Sequence, residues 1–295
     1  MAGQSRVTDH NNLSQTIKSY VPQIIDVLSQ VFFMAGHSHI FELKPIHPES
    51  TVRDLRRGVV QAASMASALG QEFPASNSQD HLRFFRAVVG TLIAAKKSLS
   101  PRTIQNLLGD AFHSYTQASG GDDVEGIIQK VYSALNSQQH EGTPAVAGQY
   151  TFGKFMSSSN CPTYLRIDIP SCRRQLAVRC FVRMHESLER NMCRLEDPSV
   201  PKADISDLEI RLAHFVPEDL QYACGFWAMH LFESPPNDDE MYGLLKSFFC
   251  KDVRNWLEVV CLVETAERAI LICDQAKAWI EVSISVISSL HNDVS

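Results

Sequence analysis

Three short patterns in this chain space chemistry-bearing residues suggestively, and each lacks a part its chemistry needs. Gly148-Gln-Tyr-Thr-Phe-Gly153-Lys154-Phe155 fits the G-x-x-x-x-G-K start of a phosphate-binding loop. The loop needs Ser or Thr after the lysine to ligate magnesium, and Phe155 stands there. It also needs a buried strand before it and a long helix after it. Here a polar stretch precedes, and Ser157-Ser158-Ser159-Asn160 and Pro162 follow. His37-Ser38-His39, with His47 further on, could place two imidazoles on one side of an extended chain. No cysteine or paired carboxylate converges in sequence to complete a metal's ligands. His185-Glu186 begins like a zinc-protease helix, but Glu189 occupies the place of the second histidine. There is no G-x-S-x-G elbow and no G-x-G-x-x-G after a strand. The residues therefore predict no catalytic centre, no metal site and no cofactor.

All eight cysteines lie at or after Cys161, and no two have Cys-x-x-Cys spacing. Within apolar periodic runs, reduced cysteine acts as a small core residue and suits a cytoplasmic compartment. The 12 basic and 12 acidic residues through Tyr150 cancel, whereas 15 basic and 21 acidic residues follow, so the net charge of −6 resides in the C-terminal half. The short basic clusters Arg53/Arg56/Arg57, Lys96/Lys97 and Arg173/Arg174 are too sparse for the concentrated positive face that nucleic acid demands. At 44% apolar and 20% charged, the 295-residue chain is globular in composition. No run approaches the ~18 apolar residues of a transmembrane helix. No membrane association is expected.

The elements that must position these residues are predicted to be mainly α. Ile17, Val21, Ile24/Ile25, Leu28 and Val31/Phe32 repeat at helical spacing, and Gly36 follows them. Helices are predicted over Arg53–Leu69 and His81–Ala95. Ser100-Pro101 opens a short helix through Leu108, closed by Gly109. Val124–Leu135 is the next helix. Extended pieces near Ala145–Thr151 and Tyr164–Ile169 are predicted to form a small hairpin, the order of a winged helix. Beyond Pro170 the pattern is helical throughout. Leu176, Cys180, Met184, Leu188 and Met192 form one stripe, Ser206 with Glu209 suggests a capping box, and Pro217-Glu218-Asp219 suits a first helical turn. Further helices are expected over Met241–Phe249, Val253–Val263 and Ala266–Leu290. The three tryptophans, Trp227, Trp256 and Trp279, fall on different predicted helices and are expected to share one core.

The stretch from about His81 to Leu290 resembles the region after the nucleotide-binding core of basidiomycete NACHT-type STAND proteins, large fungal signalling ATPases. Phe85-Arg-Ala-Val-Val-Gly-Thr-Leu-Ile-Ala-Ala and Leu99-Ser-Pro-Arg-Thr-Ile-Gln-Asn-Leu-Leu-Gly109 look like that family's winged-helix opening. Val131-Tyr-Ser-Ala-Leu135 is similar to its leucine-spaced helix end. Gln149-Tyr-Thr-Phe-Gly-Lys-Phe-Met156 resembles its His-Pro-Ser-Phe-Arg-Asp-Phe-Leu box, keeping Phe152 and Phe155. Leu188-Glu-Arg-Asn-Met-Cys-Arg-Leu195 is similar to a helix ending Asn-Ile-Cys-x-Leu. Leu220-Gln-Tyr-Ala-Cys-Gly-Phe-Trp-Ala-Met-His-Leu231 resembles the signature Leu-x-Tyr-Ala-Cys-x-x-Trp-x-x-His-Leu. Trp256-Leu-Glu-Val-Val260 and Ala278-Trp-Ile280 look like its closing helices.

The resemblance implies an N-terminal helical segment or linker (1–80), a winged-helix-like domain (81–169) and a C-terminal helical arm (170–295). It lacks the phosphate loop and Walker-B acid of a complete member. It implies a non-enzymatic regulatory or scaffold module, working in the cytoplasm and contacting a protein partner such as a NACHT-domain protein. In that family the winged helix and arm clamp the nucleotide domain. Tyr222, Trp227, His230 and Trp256 are the candidate interface residues, core packing being the competing reading. Tyr222, Trp227 and His230 cannot all share one helix face. The alternative function is a winged-helix DNA-binding regulator reading through Val124–Leu135, where Asp122, Asp123 and Glu125 oppose Lys130.

Overall fold

In a computed structural model, the described residues are 67, 70–71, 78–109, 129, 153–159, 161–236 and 238–292. They are mainly helical, and no strand occurs among them. They form two compact units that divide between Arg173 and Arg174. None of the helices among the described residues is long and apolar enough to cross a membrane.

In the N-terminal unit, α1 (Gln79–Ala94) is capped by Ser78, whose hydroxyl accepts from His81 N at 3.2 Å. Its core face carries Phe84, Phe85, Val88, Val89 and Leu92 at spacings of three and four. α2 (Pro101–Leu108) starts and stops where Ser100, Pro101 and Gly109 place it. Ser100 Oγ accepts from Thr103 N, and Gly109 takes φ 51°, a left-handed conformation open to glycine at little cost. Gly90 serves a different purpose. A Cβ there would lie 2.3 Å from Cys172 Sγ, so its hydrogen lets the start of the next helix press against α1.

The predicted hairpin needs correction. Residues 161–166 form turns: Leu165 N and Arg166 N both donate to Pro162 O at 3.0 Å, and Ile167 N makes one bond to Met156 O. Arg86 donates to Tyr164 O and Arg166 to Cys161 O, so the carbonyls of this segment go to guanidinium groups instead of a strand partner. The Ala145–Thr151 piece, the Val124–Leu135 helix apart from the helical Gln129, the Arg53–Leu69 helix apart from the helical Ser67, and the helix predicted before Gly36 lie outside the described residues.

The C-terminal unit is helical, and its first helix, α3 (Ile169–Ser187), begins just before the boundary. A short 3-10 turn (Lys202–Asp204) follows, then α4 (Leu208–Phe215), α5 (Glu218–Phe232), α6 (Asp239–Lys251), α7 (Val253–Val263) and α8 (Ala266–Asn292). The Leu176-to-Met192 stripe is buried along its length, but α3 supports it only through Met184. Beyond Ser187 the chain turns, with Asn191 and Arg194 at φ 52° and 54°. Asn191 bonds across this turn to both backbone groups of Leu195, and Glu258 of α7 accepts from Asn191 N and Met192 N at 3.0 and 2.9 Å. The proposed capping box is also corrected: Asp207 precedes α4, and its carboxylate bonds Arg211 instead of a backbone N–H.

Candidate functional site

α5 is the hub of the C-terminal unit. Leu220, Tyr222, Ala223, Cys224, Trp227, Ala228, His230 and Leu231 are all buried, which leaves few of its side chains reaching solvent. A helix apolar on nearly every side belongs inside a bundle.

The four candidate interface residues lie in this interior, each with 0% exposure. Tyr222 and His230, eight residues apart, share one face, where Tyr222 Oη lies 2.7 Å from His230 Nε2. Ser234 Oγ donates to His230 O at 2.7 Å and helps close the helix end. Trp227 sits on another face among Phe181, Phe248 and Trp256, at ring-centroid distances of 5.2, 4.9 and 6.0 Å. Its indole N–H finds no acceptor among the described residues. Trp256 Nε1 donates 2.9 Å to Cys224 O, locking α7 against the middle of α5. Trp279 packs on Tyr242 at 5.0 Å and donates to Ser234 O, so it fills a neighbouring part of the same interior. The sequence pointed to these tryptophans and set Phe181 beside the Leu176-to-Met192 stripe, but it did not bring Phe181 or Phe248 to Trp227. Those rings lie on stripes of α3 and α6 that periodicity alone could not pair with α5.

Fixed polar ties surround this core. Arg183 of α3 donates to the buried Asp219 of α5 and to Ser187 Oγ. His185 Nδ1 lies 3.0 Å from Asp252 Oδ2, so the residue that opened the zinc-like pattern is engaged with the α6–α7 corner. His37, His39 and His47 lie outside the described residues. Arg174 pairs with Asp238 and Glu240 at the start of α6. Burial drives the thiols of Cys180 and Cys224 strongly upward and holds those of Cys172 and Cys273 at about 11 and about 12. These sulfurs are protonated packing atoms, not nucleophiles, at neutral pH. Among the described residues, no group of His, Cys, Asp and Glu is placed to hold a metal ion. In the N-terminal unit Phe155 and Leu165 line an open cleft of about 390 Å³, with Pro162 and Tyr164 beside them.

Asp238 yields a pH prediction. Burial pushes its carboxyl up, but hydrogen bonds from Arg174 and from the Met241 and Glu240 N–H groups outweigh this and hold it below its ordinary value. A carboxyl lowered on folding stabilises the fold above its unfolded value, and that contribution is lost as pH falls through the folded value. Asp238→Asn keeps an oxygen to cap Met241 N but loses the charge that pairs with Arg174, so it should cost about 1 kcal/mol at neutral pH. Urea melts of both proteins should converge as pH falls through the folded value of the wild-type carboxyl, below its ordinary range.

Comparisons of the chain with protein-family models, curated proteins and solved structures gave no match.

Proposed function

We propose that this chain is a non-enzymatic regulatory or scaffold module that binds another protein, in the manner implied by its resemblance to the winged-helix and helical-arm region of NACHT-type STAND proteins. The observation that supports this reading is where the α5 signature falls. Its seven fixed positions, Leu220, Tyr222, Ala223, Cys224, Trp227, His230 and Leu231, are all buried. Of the intervening positions, Gln221, Phe226 and Met229 reach the surface. A pattern confined to interior positions specifies how helices pack, as a binding scaffold requires, and leaves the surface to vary with the partner. The partner in this reading is a NACHT-domain protein met in the cytoplasm.

The test has two arms on the full chain. Immobilised protein should retain a purified NACHT-domain protein over a matrix control, and titration with Mg·ATP in a calorimeter should give no saturable heat. Micromolar ATP binding, or failure to retain the NACHT-domain protein, would overturn the proposal.

A further inference from the structure

The C-terminal unit leaves an apolar surface open where α5 runs beside α8. The side chains that α5 leaves partly or fully open include Phe226, Met229 and Phe232, three residues apart, so that they wind along one side of the helix through about 120°. A water-facing helix edge ordinarily carries polar groups. Two contacts set α8 alongside and parallel to this stripe. Near the start of α8, Arg268 donates to Gly225 O at 3.3 Å, lies 5.7 Å from the Phe226 ring centre and reaches Met229 Sδ. About three turns later, Trp279 donates to Ser234 O, just past the end of α5. On α8, Leu271, Gln275, Ala278 and Val282 follow spacings of four, three and four, forming one line that starts a turn after Arg268. Phe232, Leu271 and Val282 are 53%, 46% and 51% exposed, unusual for large apolar side chains in a unit whose other apolar groups are mostly buried.

We propose that this α5–α8 edge is the docking face for a basic amphipathic helix of a partner protein. The proposal rests on the protein-binding reading above and names the surface that does the binding. Two parallel helices with an apolar line between them accept a third helix through anchors at turn spacing. Met229 and Phe232 supply an adaptable and a rigid anchor. The charge around the face selects the sign of the partner. Glu233, Glu264, Glu267, Asp274 and Glu281 are opposed by Lys202, Arg268 and Lys277, five carboxylates against three cations. Arg268 pairs with Glu264 and Lys277 with Glu281, and the net charge of these eight groups is negative. A second copy of this chain would set that acidic rim against itself, which disfavours self-association through this face.

The experiment uses the full chain and two fluorescein-labelled 18-residue helical peptides. Both carry leucine at i, i+3, i+4 and i+7 positions; one has lysine elsewhere and the other glutamate. Anisotropy should show saturable binding of the lysine peptide, at least tenfold tighter than that of the glutamate peptide. The double variant Phe232→Ser/Leu271→Ser should weaken it at least tenfold while melting cooperatively like wild type. Should that variant not fold, Leu271→Lys on its exposed side chain replaces it, with the same expectation. Equal binding to wild type and variant would show mere attraction to an acidic protein and overturn the proposal, as would no binding or equal affinity for both peptides. If the NACHT-domain protein is retained equally by wild type and the double variant, the docking face is wrong and the module reading stands. If neither retains it while the lysine peptide still discriminates, the docking face stands and that partner is wrong.

Discussion

Trp256→Ala is expected to lower the stability of the C-terminal unit by about 3–5 kcal/mol, the usual range for truncating a buried tryptophan. Three losses coincide at this position. The ring is fully buried and contacts Trp227 and Phe248 at centroid distances of 6.0 and 5.7 Å, so alanine leaves a cavity among rigid rings that cannot collapse into it. The Nε1 donor to Cys224 O disappears, and with it the tie between α7 and the middle of α5. The edge-to-face ring contacts vanish as well. Trp256→Phe separates these terms, because it keeps much of the ring volume and deletes only the donor and the indole's outer part; its cost should be no more than half as large. Lys154→Ala, at an exposed side chain, is the internal control and should move the melt little. Urea denaturation of the three variants beside wild type checks the ranking. A near-neutral Trp256→Ala would mean that the α5–α7 contact is not part of the stable core.

Helix beginnings and ends were most legible where a single residue type performs the capping. Ser100, Pro101 and Gly109 bracket α2 because an N-cap hydroxyl, a fixed φ and a left-handed glycine each act locally. The stripe from Leu176 to Met192 misled at its C-terminal end for the opposite reason. Leu188 and Met192 are buried as the spacing requires, yet the chain is no longer helical, since Glu258 captures the Asn191 and Met192 N–H groups from α7. That capture joins residues more than sixty positions apart, and no local pattern announces it. The same limit applies to the site. Spacing along α5 excluded a face common to Tyr222, Trp227 and His230, but it grouped Trp227 with His230 at i, i+3 and gave no sign that His230 would instead meet Tyr222 at 2.7 Å. Their burial depends on what α7 and α8 bring against α5, a property of packing between helices.

The Arg183–Asp219 pair is another tie invisible to local pattern, and the two halves of it should not be equal in cost. Asp219 sits in the first turn of α5 with its side chain only 3% exposed, whereas Arg183 on α3 keeps 27% of its side-chain surface in water. Arg183→Met removes the cation and retains an apolar stem, leaving the carboxylate buried without its partner. Such a loss typically costs about 3–5 kcal/mol, reduced somewhat by the favourable dipole at the start of α5. Asp219→Ala should cost less, because the guanidinium can turn toward solvent and keeps Ser187 Oγ as a partner at 2.6 Å. The double variant Arg183→Met/Asp219→Leu replaces the pair with apolar volume and should recover much of the Arg183→Met loss. A double-mutant cycle by urea denaturation measures this directly. Additive single effects, or an Asp219→Ala loss exceeding that of Arg183→Met, would show that the pair is not coupled in the way its burial implies.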